Sequence, residues 1–344
     1  MIVFLIILLL AVLTLLVLYT NNPLIKKIRG KPFKFPKRRL KVFFLGNHNR
    51  KGFLFLFIVY ALLIVLSFIF LYPLIFMVLT SFKPVADLAN STSGFLPTRL
   101  EFSNYREAFV QLNYLKSLWK TIVVSIIPSL FNVVIGALTA YGFARFRFPL
   151  KKLLMGLMLA IFIVPRVLIS IPQYAWYSRL KLLGNLLTYI LPASTGQGLY
   201  FALYFLILYS TFKQIPVQLD ESAKIDGASS WQIFTKIMLP LVIPSIITVF
   251  LFSVVWYWND ADMASMYLNV AKAGKEAFWV TLPVSLAKYQ SMILAETQGG
   301  QLTVLYQGIK MAGTLLSIIP LLITYLFLQK FFVEGIENSG ITGE

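Results

Sequence analysis

Residues 215–240 read IPVQLDESAKIDGASSWQIFTKIMLP, a polar stretch between two strongly apolar segments. Pro216 suits the first turn of a helix, because the missing N–H would have no partner there. Asp220 and Glu221 follow early, where the helix dipole favours acidic side chains. Gly227 suits a left-handed C-cap. The first half of the stretch therefore predicts a short helix that ends in a turn at Gly227.

A second helix is expected directly after this turn. Either Ser229 or Ser230 suits its N-cap, because a serine hydroxyl can accept a hydrogen bond from an unpaired N–H of the first turn. Apolar residues then recur at helical spacing; they are Trp231, Phe234, and either Ile237 or Met238. Pro240 leads into the next apolar segment. The whole stretch predicts an amphipathic helix–turn–helix at a membrane surface, with one face ready to dock onto a partner.

The composition of the 344 residues is that of a membrane protein. Hydrophobic residues make up 58%, charged residues only 13%, and the mean hydropathy is +0.79. A soluble domain carries about 25% charged residues. So few polar residues cannot cover a soluble globule, and the composition also disfavours disordered and fibrous chains.

Apolar stretches long enough to cross a bilayer as helices recur along the chain, at roughly 20 residues each. They are Ile2–Tyr19, Phe53–Thr80, Thr121–Phe143, Leu153–Tyr174, Leu187–Tyr209, Leu241–Trp258 and Ala312–Phe332. We therefore expect an all-α integral membrane protein.

The net charge of +18 orients these helices. Lysine and arginine concentrate in alternate loops, most densely in residues 26–51, and the positive-inside rule places those loops in the cytoplasm. The C-terminus is then cytoplasmic and the N-terminus outside. The first stretch lacks a basic n-region and a clear cleavage site, which favours a retained anchor over a signal peptide. The basic block either fixes topology alone or also attracts anionic membrane lipid. No motif supports nucleic-acid binding.

The sequence disfavours enzymatic chemistry within this chain. Cysteine is absent and His48 is the one histidine, so neither a histidine-based metal cluster nor a cysteine nucleophile is available. A phosphate-binding loop needs the pattern G-x4-G-K-[ST], which neither Gly30-Lys31 nor Gly274-Lys275 completes. We expect no metal or cofactor in this chain, and no ATP hydrolysis by it.

The stretch quoted at the start resembles the E-A-A-x3-G-x9-I-x-L-P loop of ATP-binding cassette (ABC) importer permeases. The matching residues are Glu221, Ser222 in place of the middle alanine, Ala223, Gly227, Ile237, Leu239 and Pro240. Asp226, within Ile225-Asp-Gly-Ala228, makes the loop similar to that of the carbohydrate-uptake subfamily, to which the second maltose permease subunit belongs. Residues 140–149 and 331–336 resemble the same subfamily.

This resemblance implies the architecture of a type I ABC importer permease. The expected parts are an extra N-terminal transmembrane anchor (1–20), a basic cytoplasmic linker (21–52), a six-helix permease core (53–335) with a coupling loop (213–240), and a cytoplasmic tail (336–344). The coupling loop would dock on a separate ATPase dimer that binds ATP and Mg²⁺. Within that loop, Glu221 would pair with a basic residue of the ATPase, Gly227 would permit the turn, and Ala223 would allow close packing.

The resemblance also implies further partners and a location. Family members work with a second permease subunit, most often a non-identical one, and with an extracytoplasmic solute-binding protein. The chain would be a multi-pass protein of a bacterial or archaeal cell (inner) membrane that imports sugars or oligosaccharides. The long outer loop between residues 81 and 120 would face the binding protein.

Three residues are candidates for the translocation pathway. Arg166 lies inside an apolar stretch, where a charge should face a cavity or a partner rather than lipid. Trp256 could stack on a sugar ring, and Asn259 could hydrogen bond to a sugar or to the binding protein. The alternatives are a structural interhelical hydrogen bond for Arg166 and an interfacial aromatic belt for Trp256.

Other functions remain open from the sequence. The same architecture could import peptides, polyamines or lipid-linked sugars. A secondary transporter or channel would call for paired acids within the membrane, and the predicted core helices contain acids only at their ends. A membrane enzyme would need a buried acid–base or metal constellation.

Overall fold

The computed structural model describes residues 46–47, 50–90, 94–271, 276–296, 304 and 306–338. The predicted anchor Ile2–Tyr19 lies outside these residues, as do most of the basic linker and residues 339–344 of the predicted tail. The chain divides into two compact units, residues 1–73 and 74–344.

The described part of the first unit contains a short pair of strands and the start of a long helix. Strands β1 (Gly46–Asn47) and β2 (Arg50–Lys51) pair antiparallel, with Gly46 opposite Lys51. Helix α1 (Phe53–Ser81) begins in this unit and ends in the second. Its apolar side chains are exposed to the surroundings, which is the surface expected of a helix in lipid.

The regular secondary structure described in the second unit is entirely helical. Its further elements are α2 (Val85–Ala89), α3 (Ser103–Gln111), α4 (Tyr114–Arg145), α5 (Lys151–Ile163), α6 (Arg166–Arg179), α7 (Leu187–Ser194), α8 (Phe201–Gln214), α9 (Gln218–Ile225), α10 (Ser230–Gln232), a π-helix (Ile233–Met238), α11 (Leu239–Leu241), α12 (Ile243–Asn259), α13 (Asp262–Tyr267), α14 (Leu282–Glu296) and α15 (Gln307–Asn338). The last helix continues past residue 335, where the sequence predicted the tail to begin.

Within the described residues, three single helices are long and apolar enough to cross a membrane: α1, α4 and α15 as far as Lys330. Two bent pairs also qualify if each pair is counted as one span. The pair α5 and α6 bends by 96°, and the segment Ser230–Leu241 bends by 77° from α12. The predicted stretches at Leu153–Tyr174 and Leu241–Trp258 therefore lie in bent segments.

Prolines account for both bends. Pro165 lacks an N–H and disfavours the helical conformation of the residue before it. Val164 accordingly adopts an extended conformation with ψ of 121°, and α6 begins afresh at Arg166. Pro240 and Pro244 flank the second bend, where the N–H of Val242 bonds to both Met238 and Leu239. The predicted stretch Leu153–Tyr174 is therefore interrupted at Val164 and Pro165.

The predicted stretch Leu187–Tyr209 also forms two helices rather than one. Helices α7 and α8 are separated by residues 195–200. Gly196 has φ of +77° and Tyr200 has φ of +53°, so the chain takes left-handed steps that a continuous helix does not allow. The polar, glycine-containing run Ser194-Thr-Gly-Gln-Gly198 marks this interruption in the sequence, and the prediction of the stretch passed over it.

The core of the second unit lies where α4, α8 and α12 pack together. Its largest fully buried side chains include Tyr204, Phe205 and Phe212 of α8. Residues of α9 and of the π-helix join the same apolar cluster, among them Ala223, Ile233 and Met238. The predicted coupling loop is therefore packed directly onto the ends of the apolar helices.

Candidate coupling loop and translocation pathway

The first half of the coupling loop is a capped helix. The N–H of Gly227 donates to the carbonyl of Lys224 at 3.0 Å, and the N–H of Ala228 donates to that of Ala223 at 2.9 Å. This hydrogen-bond pair is a Schellman motif, which requires a left-handed residue after the helix. Gly227 supplies it with φ of +81°. The predicted turn at Gly227 is confirmed.

The second half begins with a capping box. Ser229 Oγ accepts a hydrogen bond from the N–H of Gln232 at 3.3 Å, and Gln232 Oε1 accepts one from the N–H of Ser229 at 2.8 Å. Of the two serines that the sequence offered, Ser229 is thus the cap. A π-helix follows and leads to Pro240, whose ring would clash with the carbonyl of Lys236 in a regular α-helix.

The two adjacent acids of α9 point in different directions. Asp220 is buried and its Oδ2 lies 3.0 Å from Nε of Arg145, with the two side chains 7% and 6% exposed. The contact is an ion pair whose alignment does not meet hydrogen-bond geometry, and Oδ1 of Asp220 has no hydrogen-bond partner among the described residues. Glu221, the next residue, is exposed. One acid therefore faces the chain itself and the other faces outward.

Arg145 connects the coupling loop to the last turn of α4. Its Nη2 donates to the carbonyl of Ile215 at 2.7 Å, in addition to the ion pair with Asp220. A cation also suits this position because the C-terminal end of a helix carries partial negative charge. The sequence reasoning missed both Arg145 and Asp220 as functional residues. The only signal was that Arg145 lies within the family-like segment 140–149.

The predicted coupling residues divide between an outward face and an inward face. Four are exposed on the surface: Glu221, Ser222, Asp226 and Gly227. Ile225 (86% exposed) and Trp231 (63%) add large apolar groups to the same loop. An exposed set of one acid, small polar residues and two large apolar side chains is a surface that a protein partner can cover.

The remaining coupling residues pack mainly on this chain. Ala223 is buried in the apolar core, and Ile237 and Leu239 are half-buried against the same cluster, whereas Pro240 is exposed. The close packing expected of Ala223 thus includes packing within its own subunit. Of the predicted apolar stripe, Phe234 and Met238 are buried and Trp231 is not.

The structure brings Arg166 and Trp256 together through a third residue, Tyr200. The Arg166 guanidinium carbon lies 5.9 Å from the centre of the Tyr200 ring. The Tyr200 and Trp256 ring centres are 4.0 Å apart. Tyr200 was missed because an aromatic residue in an apolar run gives no distinguishing signal. The side chain of Asn259 turns back onto its own helix, where its Nδ2 donates to the carbonyl of Val255 at 2.9 Å.

A small polar cavity lies beside Arg166. It offers about 30 Å³, room for one or two ordered water molecules. Asp260 also lines it and is held by its neighbours: Tyr189 Oη donates to Oδ2 at 2.7 Å, and the N–H of Met263 donates to Oδ1 at 3.0 Å. A charged and aromatic cavity next to a break in the predicted membrane helices marks a transport-pathway candidate.

The described part of the predicted outer loop is folded rather than irregular. Helices α2 and α3 lie in it, and Asp87 accepts hydrogen bonds from the backbone N–H and the hydroxyl of Thr98, each at 2.8 Å. The backbone hydrogen bond from Thr98 lowers the pKa of Asp87 below its ordinary value, so this carboxylate stays charged at neutral pH. The loop is a defined surface that a partner can recognise.

Within the described residues, no group of three or more His, Asp or Glu side chains is placed to hold a metal ion. The described residues offer charge pairing, aromatic contact and a packed linkage between a surface loop and long apolar helices.

Comparison with known proteins gives consistent matches. Residues 132–338 match the family model described as "Binding-protein-dependent transport system inner membrane component". The chain is 31% identical to the polygalacturonan/rhamnogalacturonan transport system permease protein YtcP of Bacillus subtilis, a match that covers 85% of this chain and all of that protein. It is 29% identical to the trehalose transport system permease protein SugB of Mycobacterium tuberculosis, over 79% of this chain and 93% of that protein.

A solved structure shares the fold. A chain of a bacterial ABC transporter involved in the import of the acidic polysaccharide alginate aligns with a TM-score of 0.64 and 23% sequence identity. The alignment covers 88% of this chain and all of that one. At this identity the likeness speaks to the arrangement of helices and not to the cargo.

Proposed function

Because the chain belongs to the family of inner membrane components of binding-protein-dependent transport systems, we propose that it is the permease subunit of an ATP-driven importer of sugars or oligosaccharides. It is a multi-pass membrane protein whose work is transport rather than catalysis. The relatives named for polygalacturonan and trehalose support carbohydrate as the class of cargo over peptides or polyamines.

The observation that carries this function is the division of the coupling loop into an anchored face and an open face. Asp220 and Ala223 fix α9 to the body of the permease, while Glu221 and Asp226 remain exposed. A loop that only capped the helices would have no need of an exposed acidic and apolar surface. We propose that this surface receives the ATPase subunit, which would bind ATP and Mg²⁺.

The mechanism follows from the contacts of the anchored face. When the ATPase moves the exposed face of the coupling loop, the buried Arg145–Asp220 ion pair transmits the movement of α9 to α4. The π-helix and α11 pass it to α12 across the bend. Both long helices then move with the loop, and nucleotide binding shifts the balance between an inward-open and an outward-open cavity.

The remaining partners complete the transporter. A second permease subunit would enclose the cavity from the other side. A solute-binding protein would deliver the sugar to the outer face, where the loop with Asp87 and Thr98 lies. The predicted topology puts the coupling loop and the C-terminus in the cytoplasm and the N-terminus outside.

Reconstitution into proteoliposomes tests this function. The chain would be purified with its partner subunits, and uptake of labelled oligosaccharide would be followed with ATP, without ATP, and with imposed ion gradients in place of ATP. The proposal predicts uptake that needs both ATP and the binding protein. Uptake driven by an ion gradient alone would identify a secondary transporter instead.

A further inference from the structure

Arg166 occupies an unusual position for a charged residue. It is the first residue of α6, directly after the break at Val164 and Pro165, within a segment otherwise apolar enough to cross the membrane. A charge at such a depth costs several kcal/mol if it faces lipid, so it needs a cavity or a counter-charge. The first N–H groups of α6, which have no partner within the helix, also make this end favourable for an anion.

Arg166 forms no direct ion pair with a carboxylate of the described residues. Its Nη1 is buried and has no hydrogen-bond partner there, and no carboxylate of those residues lies within 4.0 Å of the guanidinium. Asp260 lines the same cavity, where its oxygens accept hydrogen bonds from Tyr189 and from the N–H of Met263 rather than from Arg166. A buried guanidinium N–H left unpaired is costly, which indicates that the working protein supplies an acceptor.

An aromatic surface adjoins the guanidinium. The Tyr200 ring lies beside Arg166 and stacks against Trp256 at 4.0 Å with a tilt of 34°. Tyr200 holds this place in a left-handed conformation (φ +53°), which is strained for a residue with a side chain. Trp256 remains 42% exposed. The left-handed backbone thus places the Tyr200 ring between the Arg166 guanidinium and the exposed ring of Trp256.

These contacts suit a sugar that bears a carboxylate. Arginine binds carboxylates with two parallel hydrogen bonds, and the flat faces of aromatic rings cover the apolar faces of sugar rings. The cavity beside Arg166 has room for one or two water molecules, so a sugar ring must lie outside it, over the open face of Trp256.

Resting on the proposed function, we propose that Arg166, Tyr200 and Trp256 form a subsite for the uronate residues of an acidic oligosaccharide on the transport pathway. The guanidinium of Arg166 binds the carboxylate while the sugar ring passes over Trp256. The importer then selects acidic over neutral oligosaccharides within the membrane, as well as at its binding protein.

The test uses the complete transporter in proteoliposomes and two probes of the same size. Trigalacturonate carries three carboxylates, and its fully methyl-esterified form carries none. Uptake of each is measured for the wild type, Arg166→Gln, Arg166→Lys and Arg179→Gln. Arg179 is an exposed arginine at the far end of the same helix and serves as the matched control. Affinities of the binding protein for both probes, measured separately, remove its contribution from the comparison.

The subsite predicts a selective loss. Arg166→Gln should lower trigalacturonate uptake about tenfold or more, the effect of losing a charge-assisted hydrogen bond, and should lower uptake of the methyl ester much less, because the ester carries no charge for Arg166 to bind. Arg166→Lys should retain part of the acidic uptake, because lysine keeps the charge and loses the paired geometry. Arg179→Gln should behave as the wild type.

Three results would overturn the subsite. One is an equal loss for both probes in Arg166→Gln. Another is failure of the Arg166→Gln chain to retain its partner permease on purification, which would make Arg166 an interface residue that pairs with that subunit. The third is ATP-dependent uptake of a neutral sugar such as trehalose by the wild type without uptake of trigalacturonate. This third result would leave the proposed function standing, whereas the absence of any ATP-dependent sugar uptake would refute that function itself.

Discussion

Asp220 in the coupling loop and Arg145 at the end of α4 form a buried ion pair, with Oδ2 and Nε 3.0 Å apart. The pair joins a short surface helix to one of the long membrane helices. Because the carbonyl of Ile215 accepts a second contact from the same guanidinium, at 2.7 Å, the start of the loop is held from two points. This linkage ties the start of the loop to the last turn of α4.

Removing either partner of this pair should destabilise the chain. Asp220→Ala leaves the Arg145 guanidinium buried without a counter-charge, and such a loss costs about 3–5 kcal/mol. We expect Asp220→Ala and Arg145→Ala each to lower the free energy of unfolding by an amount of this order. Thermal unfolding of the purified protein in detergent, followed by tryptophan fluorescence, measures the change.

A double variant separates the lone buried charge from a packing defect. Arg145→Met with Asp220→Leu removes both charges and keeps apolar volume, so it should recover most of the stability lost in the single variants. It should not recover transport fully, because the hydrogen bond to Ile215 is gone. Single variants as stable as the wild type would show that the pair does not anchor the loop.

Any side chain at position 227 should destabilise the turn, and the cause is the backbone conformation alone. A Cβ at this position would meet open space, but φ is +81°. Gly227→Ala should therefore cost about 1–2 kcal/mol of local stability and weaken ATP-dependent uptake. Gly227→Asn should be milder, because asparagine tolerates the left-handed region.

Gly142 provides the matched control for Gly227. It also faces open space, but it lies within α4 in a helical conformation. Gly142→Ala should be neutral or stabilising by up to about 1 kcal/mol through helix propensity. If Gly227→Ala and Gly142→Ala had the same effect on uptake and thermal stability, the conformational role of Gly227 would be disproved.

The two serines after the turn should differ in their response to alanine. Ser229 caps the second helix of the loop through its hydroxyl, so Ser229→Ala should cost about 1 kcal/mol. Ser230 is the first residue inside that helix, so Ser230→Ala should have little effect. Hydrogen exchange of the backbone N–H of Gln232 reports the cap directly, and equal exchange in both variants would count against it.

Much of the loop could be predicted from the sequence because its signals are local. The acids at the helix start, the glycine at its end and the serine cap each act within a few residues, and Gly227 behaves as the spacing predicts. The choice between Ser229 and Ser230 could not be made, because both stand next to the turn and either hydroxyl could reach the first N–H groups.

The tertiary contacts could not be predicted, for a physical reason. The Arg145–Asp220 pair and the Tyr200 contact with Arg166 join segments distant in sequence, so no local pattern records them. The break at Val164 was missed because hydropathy measures how apolar a segment is and carries no information on backbone direction. Pro165 was visible, but prolines also occur inside membrane helices that continue.

The central claim is that two neighbouring acids have different roles: Asp220 anchors the loop to the permease, and Glu221 contacts the ATPase. The most direct test is the purification of tagged Glu221→Ala and Asp220→Ala chains with the ATPase present. We predict that Glu221→Ala unfolds at the wild-type temperature and retains the ATPase at least about tenfold less well, whereas Asp220→Ala unfolds at a lower temperature. Wild-type retention of the ATPase by a stable Glu221→Ala chain would contradict this account.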